Sequence, residues 1–517
     1  MHHVEKSPNI LLITADQFRG DCLSSVGHPV VKTPNLDALA AEGVSFLRHY
    51  ANAAPCSPAR ACLYTGLYQM NNRVCSNGSP LDSRHDNLAL AFRRLGYEPT
   101  LFGHTDQATD PRKLHNNDPA LHTYETVLSG FTPRAVLPEP LRPWLSWLES
   151  VGYGDALHKV DPHLPVNGVA DPPAGAAPFY RAEHTETAYL VNEFTRWLSE
   201  QQQVTRTKQD HRWFAHVSLY RPHPPFIVPA PFDTQYAADD VPPFAGATDW
   251  QETARLHPLL EWLFSTLDKS QFIAGSNGPV RDWHSTDLKQ IAATYFGMVS
   301  EVDSQLGRLM NALKNRDCWD NTLIVFTSDH GEMLGDHAML GKHGFFESSY
   351  HIPLIIRDPC AQLSKGTQVD RFTESVDVFP TLLDRLGVDA PSQLDGRSMS
   401  AFIDNKPAVN WRTAAHWEFD FRDIPSQVAE QHFDLTSQQC NLAVYRDTQV
   451  KYVHFSGLPP LLFDLQKNPE ETRNVVDDPA YASIRIACAE AMLAWRSEHL
   501  DQSLALTALT EQGVVRA

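Results

Sequence analysis

Residues 9–14, Asn-Ile-Leu-Leu-Ile-Thr, form a continuous apolar run that stops at Ala15-Asp16-Gln17. A short run without alternation predicts a strand buried on both faces of a parallel sheet, delivering polar residues at its C-terminal edge. Residues 322–327, Thr-Leu-Ile-Val-Phe-Thr, repeat the pattern and end in Ser328-Asp329-His330-Gly331. Trp213 to Leu219 predicts a third strand, followed by Arg221-Pro-His-Pro-Pro225, and Val44 to Tyr50 a fourth. Helix signals alternate with these strands. Thr33-Pro34-Asn35 starts a short helix with Leu36, Leu39 and Ala40 on one face that stops at Gly43. Thr187 to Gln202 is a second helix, and from Ile291 the positions Tyr295, Met298, Val302, Leu306, Leu309 and Leu313 trace the clearest helical face of the chain.

Alternating helices and strands predict an α/β fold with a large, mostly parallel central sheet flanked by helices. Residues 107–180 and 229–285 are rich in Pro, Gly and Asp with little periodicity, and read as long excursions, lids or oligomer contacts. Beyond residue 400 the pattern changes. Ala443-Val-Tyr445, Lys451 to Phe455 and Leu461 to Leu465 are short strands separated by turn residues, with a helix from Ile484 to Trp495. The expected organisation is a catalytic core over 1–400 and a C-terminal subdomain over 401–517, with a small antiparallel sheet, a helix and an oligomerisation arm.

Composition narrows the functional classes. The 517 residues carry 43 Lys and Arg against 62 Asp and Glu, a formal charge of −19. Affinity for polyanions comes from Lys and Arg neutralising phosphates, so nucleic acid and anionic membranes are not expected partners. Eight cysteines lie without C-x-x-C pairing or small-domain spacing, which argues against a disulfide scaffold. The first apolar run is too short for a secretion signal, and no stretch is long enough to span a bilayer. A cytoplasmic enzyme is the default reading.

Two buried strands both end in metal-type ligands, Asp16-Gln17 and Asp329-His330, at the sheet edge where open α/β folds put their chemistry. The densest chemistry lies in Cys56-Ser-Pro58-Ala-Arg60-Ala-Cys62-Leu-Tyr-Thr65-Gly66. A cysteine phosphatase loop would need Arg where Cys62 stands. A nucleotide-binding P-loop fails as well, because Gly335 to Gly341-Lys342 has the wrong spacing and no Ser or Thr follows the lysine.

The pattern C-x-P-x-R-x₄-T-G resembles the signature of the type I, formylglycine-dependent sulfatases of the alkaline phosphatase superfamily. Asn9-Ile-Leu-Leu-Ile-x-x-Asp16, Thr33-Pro-Asn-Leu-Asp37, Thr327-Ser-Asp-His-Gly331, Gly341-Lys342, Ile352-Pro-Leu354 and Phe463-Asp-Leu-x-x-x-Pro469-x-Glu471 follow in the family's order. Tyr220-Arg-Pro-His-Pro-Pro-Phe226, Leu334-Gly-Asp-His337 and His416-Trp-Glu-Phe-Asp-Phe-Arg-Asp423 resemble most the phosphonate monoester hydrolase/phosphodiesterase branch and its dimeric arylsulfatase relatives.

The resemblance implies that a maturation enzyme oxidises Cys56 to formylglycine. Its hydrate supplies one hydroxyl to attack sulfur or phosphorus and a second to expel the product. It implies that Asp16, Gln17, modified Cys56, Asp329 and His330 hold one divalent metal, Mn²⁺ or Ca²⁺ with Zn²⁺ a further candidate. Arg60 would orient the aldehyde hydrate, Lys342 and His223 would contact the anion and protonate the leaving oxygen, and Asn77 and His104 would be further donors. Singly, a His in Pro-His-Pro is a loop residue and a Gly-Lys a turn with a solvated amine; only the family order gives them these roles. The expected substrate is a small monoanionic ester, the expected assembly a homo-dimer or homo-tetramer.

His104-Thr105-Asp106 follows Gly103 where the phosphonate branch has Tyr and, two positions on, Thr. That departure favours an arylsulfatase-like sulfuric ester hydrolase, with phosphonate monoester or phosphodiester hydrolysis by the same site as the alternative. More remote alternatives are an inactive anion-binding protein of this fold and a superfamily phosphatase or phosphomutase, which would need a Ser or Thr nucleophile. Trp144, Trp147 and Tyr153 are candidates either for an aryl pocket or for packing.

Overall fold

A computed structural model describes residues 7–166, 175–207, 211–361, 364–502, 504, 505 and 507–516. The apolar runs become strands β1 (Asn9–Ala15), β2 (Phe214–Leu219) and β3 (Thr322–Thr327). They lie parallel and adjacent, β1 between the other two, within an eight-stranded sheet. Ala15 pairs in register with Leu219 and Thr14 with Thr327, so the three chains leave the sheet together at one edge. Their lack of alternation has the predicted cause. Ile10 and Leu12 enter the core on one face, Leu11, Ile13 and Ala15 the core on the other.

Pro99–Gly103 and Thr132–Val136 extend the sheet beyond β2; Leu354–Arg357, Val44–Tyr50 and Thr367–Glu374 extend it beyond β3. Only Leu354–Arg357 runs antiparallel to its neighbours. Helices α1 (Cys56–Thr65), α2 (Glu186–Thr207) and α3 (Ser285–Lys314) are the ones that matter for the site. The predicted face of α3 from Tyr295 to Leu313 is buried, but the helix starts earlier than its apolar pattern, in a polar first turn closed by a capping box between His284 and Asp287.

The first excursion contains more sheet than its composition showed. Thr132–Val136 forms the outer strand, with Pro133 and Arg134 exposed. A strand paired on one side only tolerates Pro and needs no apolar alternation, which hides it from a periodicity reading. Residues 167–174 of the same excursion lie outside the described residues.

The expected small C-terminal sheet is present: Asn441–Arg446, Val450–Phe455 and Leu461–Asp464 are antiparallel neighbours, joined by Ala415–Asp420. Its last strand is Ala53–Ala54, which pairs parallel with Ala415–Asp420 just before Cys56. The small sheet therefore anchors the entry to α1, and the Glu418 amide donates to the Asn52 carbonyl at 2.9 Å.

Candidate active site

The aligned exits of β1 and β3 bring Asp16, Asp329 and His330 together, and α1 opens with Cys56 facing them. The donor atoms of these four side chains lie within 4.8 Å of one another, all buried. Cys56 Sγ is 3.3 Å from His330 Nε2 and 4.0 Å from Asp16 Oδ1. Arg60, one turn along α1, is completely buried and joins the two carboxylates: Nη2 donates to Asp16 Oδ2 at 3.0 Å and Nε to Asp329 Oδ2 at 2.9 Å. Its remaining nitrogen, Nη1, donates to Ser218 Oγ on β2 at 2.8 Å. One planar guanidinium thus locks three strand ends to α1.

A second group of residues arrives on loops. Lys342 Nζ donates to Cys56 Sγ at 3.3 Å and to Gln17 Oε1 at 2.7 Å. The Gln17 side chain, expected among the metal donors, bridges Lys342 to Glu332, and its backbone amide donates to Asp329 Oδ1 at 3.1 Å. His223 is half-buried, and its Nδ1 donates to the Pro224 carbonyl at 2.7 Å. Asn77 is exposed, and its Oδ1 accepts the Ser57 amide at 3.0 Å, so it caps the open first turn of α1 and keeps only its amide donors for an anion.

His104 turns inward. Its Nε2 lies 3.4 Å from both Asp16 Oδ2 and Asp106 Oδ2, while Nδ1 is buried without a protein partner. Gly103 makes this possible. With φ at +103° and a would-be Cβ 1.9 Å from the Ser218 carbonyl oxygen, no side chain fits where the strand brings His104 in.

The charges follow from this geometry. Burial would raise the Asp16 carboxyl, but His223, His104, Arg60 and Lys342 around it hold it well below the ordinary carboxylate range. Burial lowers the His330 imidazole, favouring the neutral ring. Burial, reinforced by Asp16, raises the Cys56 thiol well above its ordinary value. An unmodified Cys56 would therefore be a protonated, weak nucleophile.

The sulfatase family model matches residues 8–388, and a model for the C-terminal region of N-sulphoglucosamine sulphohydrolase matches residues 335–498. The chain belongs to the sulfatase family. This sulfatase-family chain is similar to a phosphonate monoester hydrolase of Agrobacterium radiobacter, with 55% identity, 99% of each chain covered and a TM-score of 0.95. It is 37% identical to the multifunctional alkaline phosphatase superfamily protein PehA of Trinickia caryophylli over 98% of each chain. It is 28% identical to an arylsulfatase of Clostridium perfringens over 92% of this chain and 91% of that one. The fold is thereby the alkaline-phosphatase-like sulfatase fold, and the chain is a hydrolase.

The family implies a metal and a formylglycine, and the donor set of this sulfatase-family chain fits both. His330 Nδ1 donates to the Gly331 carbonyl at 3.0 Å, so the neutral ring presents its Nε2 lone pair to the cluster, the tautomer a metal ligand needs. Two carboxylates, that nitrogen and the side chain of residue 56 form a compact buried set.

Several working residues were not legible beforehand. Glu332 is fully buried; it accepts the Leu334 amide at 3.0 Å and the Gly341 amide at 2.6 Å, stitching the Asp329-His330 turn to the Gly341-Lys342 turn. Its position beside Asp-His-Gly was the only available signal. Asp106, counted before only as added negative charge, is buried 3.4 Å from Arg60 Nε. Trp144 and Tyr153 pack around His184: Trp144 Nε1 donates to its carbonyl at 2.9 Å and Tyr153 Oη lies 3.1 Å from its Nδ1. Trp147 meets the same ring edge-on. These contacts are packing.

Proposed function

We propose that this protein hydrolyses small monoanionic esters with a formylglycine formed from Cys56, and that phosphonate monoesters are its preferred class. The observation that carries the reaction type is Cys56 at the open end of α1, flanked by Lys342 Nζ and His330 Nε2 at 3.3 Å each and backed by Arg60. When bound, a divalent ion supplies Lewis acidity to the nucleophile and to the ester oxygens; a nitrogen among carboxylates suits Mn²⁺ or Zn²⁺ better than Ca²⁺. Asp16, Asp329 and His330 would hold it, with Gln17 joining only if its amide oxygen leaves Lys342.

The chain's own groups divide the remaining work. Lys342, hydrogen-bonded to Cys56 Sγ and Gln17 Oε1 and kept charged against burial by the nearby Asp16 and Asp329, faces the ester oxygens and stabilises the charge that builds there. His223, with its Nδ1–H committed to Pro224, has only Nε2 to offer to a leaving oxygen; burial and Lys342 push this imidazole down to about 3, so it gives a proton there only after an arriving anion has favoured its protonated form. His104 sits behind Asp16 and orients it. Asp16, Asp106 and Asp329 face the two permanent cations Arg60 and Lys342, so the chain's own charges here are net negative and a divalent ion would be needed to offset them for a singly charged ester.

Sulfate esters, phosphonate monoesters and phosphodiesters are all singly charged. The high similarity to the Agrobacterium phosphonate monoester hydrolase favours phosphonate, while His104 and Asp106 and the arylsulfatase relative support sulfate as the second reading. Steady-state comparison of an aryl phosphonate with an aryl sulfate on mass-verified enzyme tests the order: higher kcat/KM on phosphonate is expected, and a higher value on sulfate overturns it. The Cys56 peptide should be lighter by a sulfur-for-oxygen exchange and two hydrogens; an active enzyme carrying only the thiol would end the mechanism.

We further propose maturation by a formylglycine-generating enzyme in a reducing cytoplasm. Cys22, Cys56, Cys62, Cys75, Cys318, Cys440 and Cys488 are free thiols, and among the described residues no helix is long and apolar enough to cross a membrane. The hairpin Thr507–Thr510 with Gly513–Arg516 exposes Leu509, Val514 and Val515, which supports a homo-oligomer contact there.

A further inference from the structure

Behind the loop that carries His223 lies a buried charged group that the reaction does not use. Arg221 is 1% exposed. Its Nε donates to Glu186 Oε1 at 2.6 Å, Nη2 donates to the Tyr180 hydroxyl at 3.1 Å, and Nη1 donates to the Ile227 carbonyl. Arg221 opens the loop and Ile227 ends it, so one guanidinium ties both ends together. Glu186 is the first residue of α2, and the pair is anchored to the helix layer rather than to solvent. Glu301 on α3 lies near enough for its charge to act on the same guanidinium, and it accepts the Thr185 hydroxyl at 2.6 Å. Within the loop, the His223 amide donates to the Tyr220 carbonyl at 3.2 Å and the Tyr220 ring packs on the imidazole with centroids 4.9 Å apart.

A buried ion pair is seldom an economical way to stabilise a fold, because desolvating two charges offsets their attraction. What it does supply is a fixed geometry, since a planar donor set with three different acceptors admits one arrangement. That arrangement ends two residues from the imidazole whose placement decides proton transfer. We propose that Arg221 and Glu186 are positioning residues for His223: they hold the Arg221–Ile227 loop so that the imidazole meets the leaving oxygen. This rests on the reading of His223 as the group serving that oxygen, and the experiment separates the two.

Four proteins are compared, each normalised for formylglycine and metal content: wild type, His223→Ala, Glu186→Gln and the double variant. Each is assayed on nitrophenyl and unsubstituted phenyl esters of methylphosphonic acid. Glu186→Gln keeps the acceptor oxygen and removes the charge. His223→Ala should lose roughly a hundredfold in kcat on the phenyl ester and much less on the nitrophenyl ester, whose leaving oxygen needs no proton. Glu186→Gln should lose about tenfold in kcat on the phenyl ester with KM nearly unchanged, and less than about twofold once His223 is already Ala. Equal losses with His223 present or absent, equal losses on both esters, or no loss at all would overturn the brace. Equal losses on both esters from His223→Ala would instead overturn the role of His223. If Glu186→Gln does not accumulate folded, Tyr180→Phe, which removes one acceptor from Arg221, carries the same comparison with an expected loss of about threefold.

Discussion

The two halves of the site are built differently. Asp16, Asp329 and His330 are buried at strand ends, and Arg60 is locked on α1 by Asp16, Asp329 and Ser218. Lys342 and His223 are half-buried and Asn77 is exposed, all three on connections between elements. The first half must keep like charges close, which requires rigid backbones and a permanent counter-charge. On the proposed function the second half must meet a substrate that arrives and leaves, so it lies at the surface and takes its rigidity from groups behind it, Glu332 for Lys342 and Arg221 for His223. The lesson is that rigidity in the loop half is borrowed rather than intrinsic.

If that contrast holds, damage to the strand-end half should be the more severe and should not depend on the leaving group. Asp329→Asn removes a donor and leaves Arg60 short of one counter-charge. Activity should fall by about a thousandfold or more on every ester, with loss of metal in elemental analysis. A variant that kept its metal and lost less than about tenfold would show that Asp329 is only a structural partner of Arg60.

Damage to the loop half should be smaller and selective. Lys342→Met removes the cation beside the nucleophile without touching the strand ends. The expected loss is about a hundredfold in kcat/KM, greater for poor leaving groups than for good ones, with metal content unchanged. Loss of metal in this variant would erase the distinction between the halves.

The same contrast governs what could be read from residue order. β1 and β3 were legible because two-sided burial writes an unbroken apolar run, and Asp16, Asp329 and His330 followed as the residues at their ends. Cys56 and Arg60 were legible as a motif, and the structure adds why Arg60 is an arginine: it has distinct acceptors on three elements. The inward turn of His104 was not legible, since it depends on Gly103 pressing against the Ser218 carbonyl, a contact between strands distant in the chain. Glu186, Glu301 and Glu332 look like ordinary polar letters in helices and turns. Their burial is decided by what packs across from them, and periodicity along one segment carries no record of that.

The smallest expected effect concerns the brace itself and appears in stability rather than rate. Burial pushes the Glu301 carboxyl up to about 7, against the pull of Arg221 and the hydrogen bond from Thr185; Glu186 adds to the rise. In the unfolded chain a glutamic acid loses its proton near its ordinary value of about 4.3. Between those two values the folded protein holds a proton that the unfolded chain has released, so this group's contribution to stability falls as pH rises through the window and levels off above it. Glu301→Gln mimics the protonated side chain and keeps an acceptor for Thr185. The variant and the wild type should therefore unfold at nearly the same temperature at pH 5, and the variant should be the more stable at pH 8, by on the order of 1–3 kcal/mol. Parallel curves across that range would mean that Glu301 is already charged at pH 5. The Arg221 guanidinium would then be held by two carboxylates rather than one, and Glu186→Gln should cost correspondingly less than the loop argument requires.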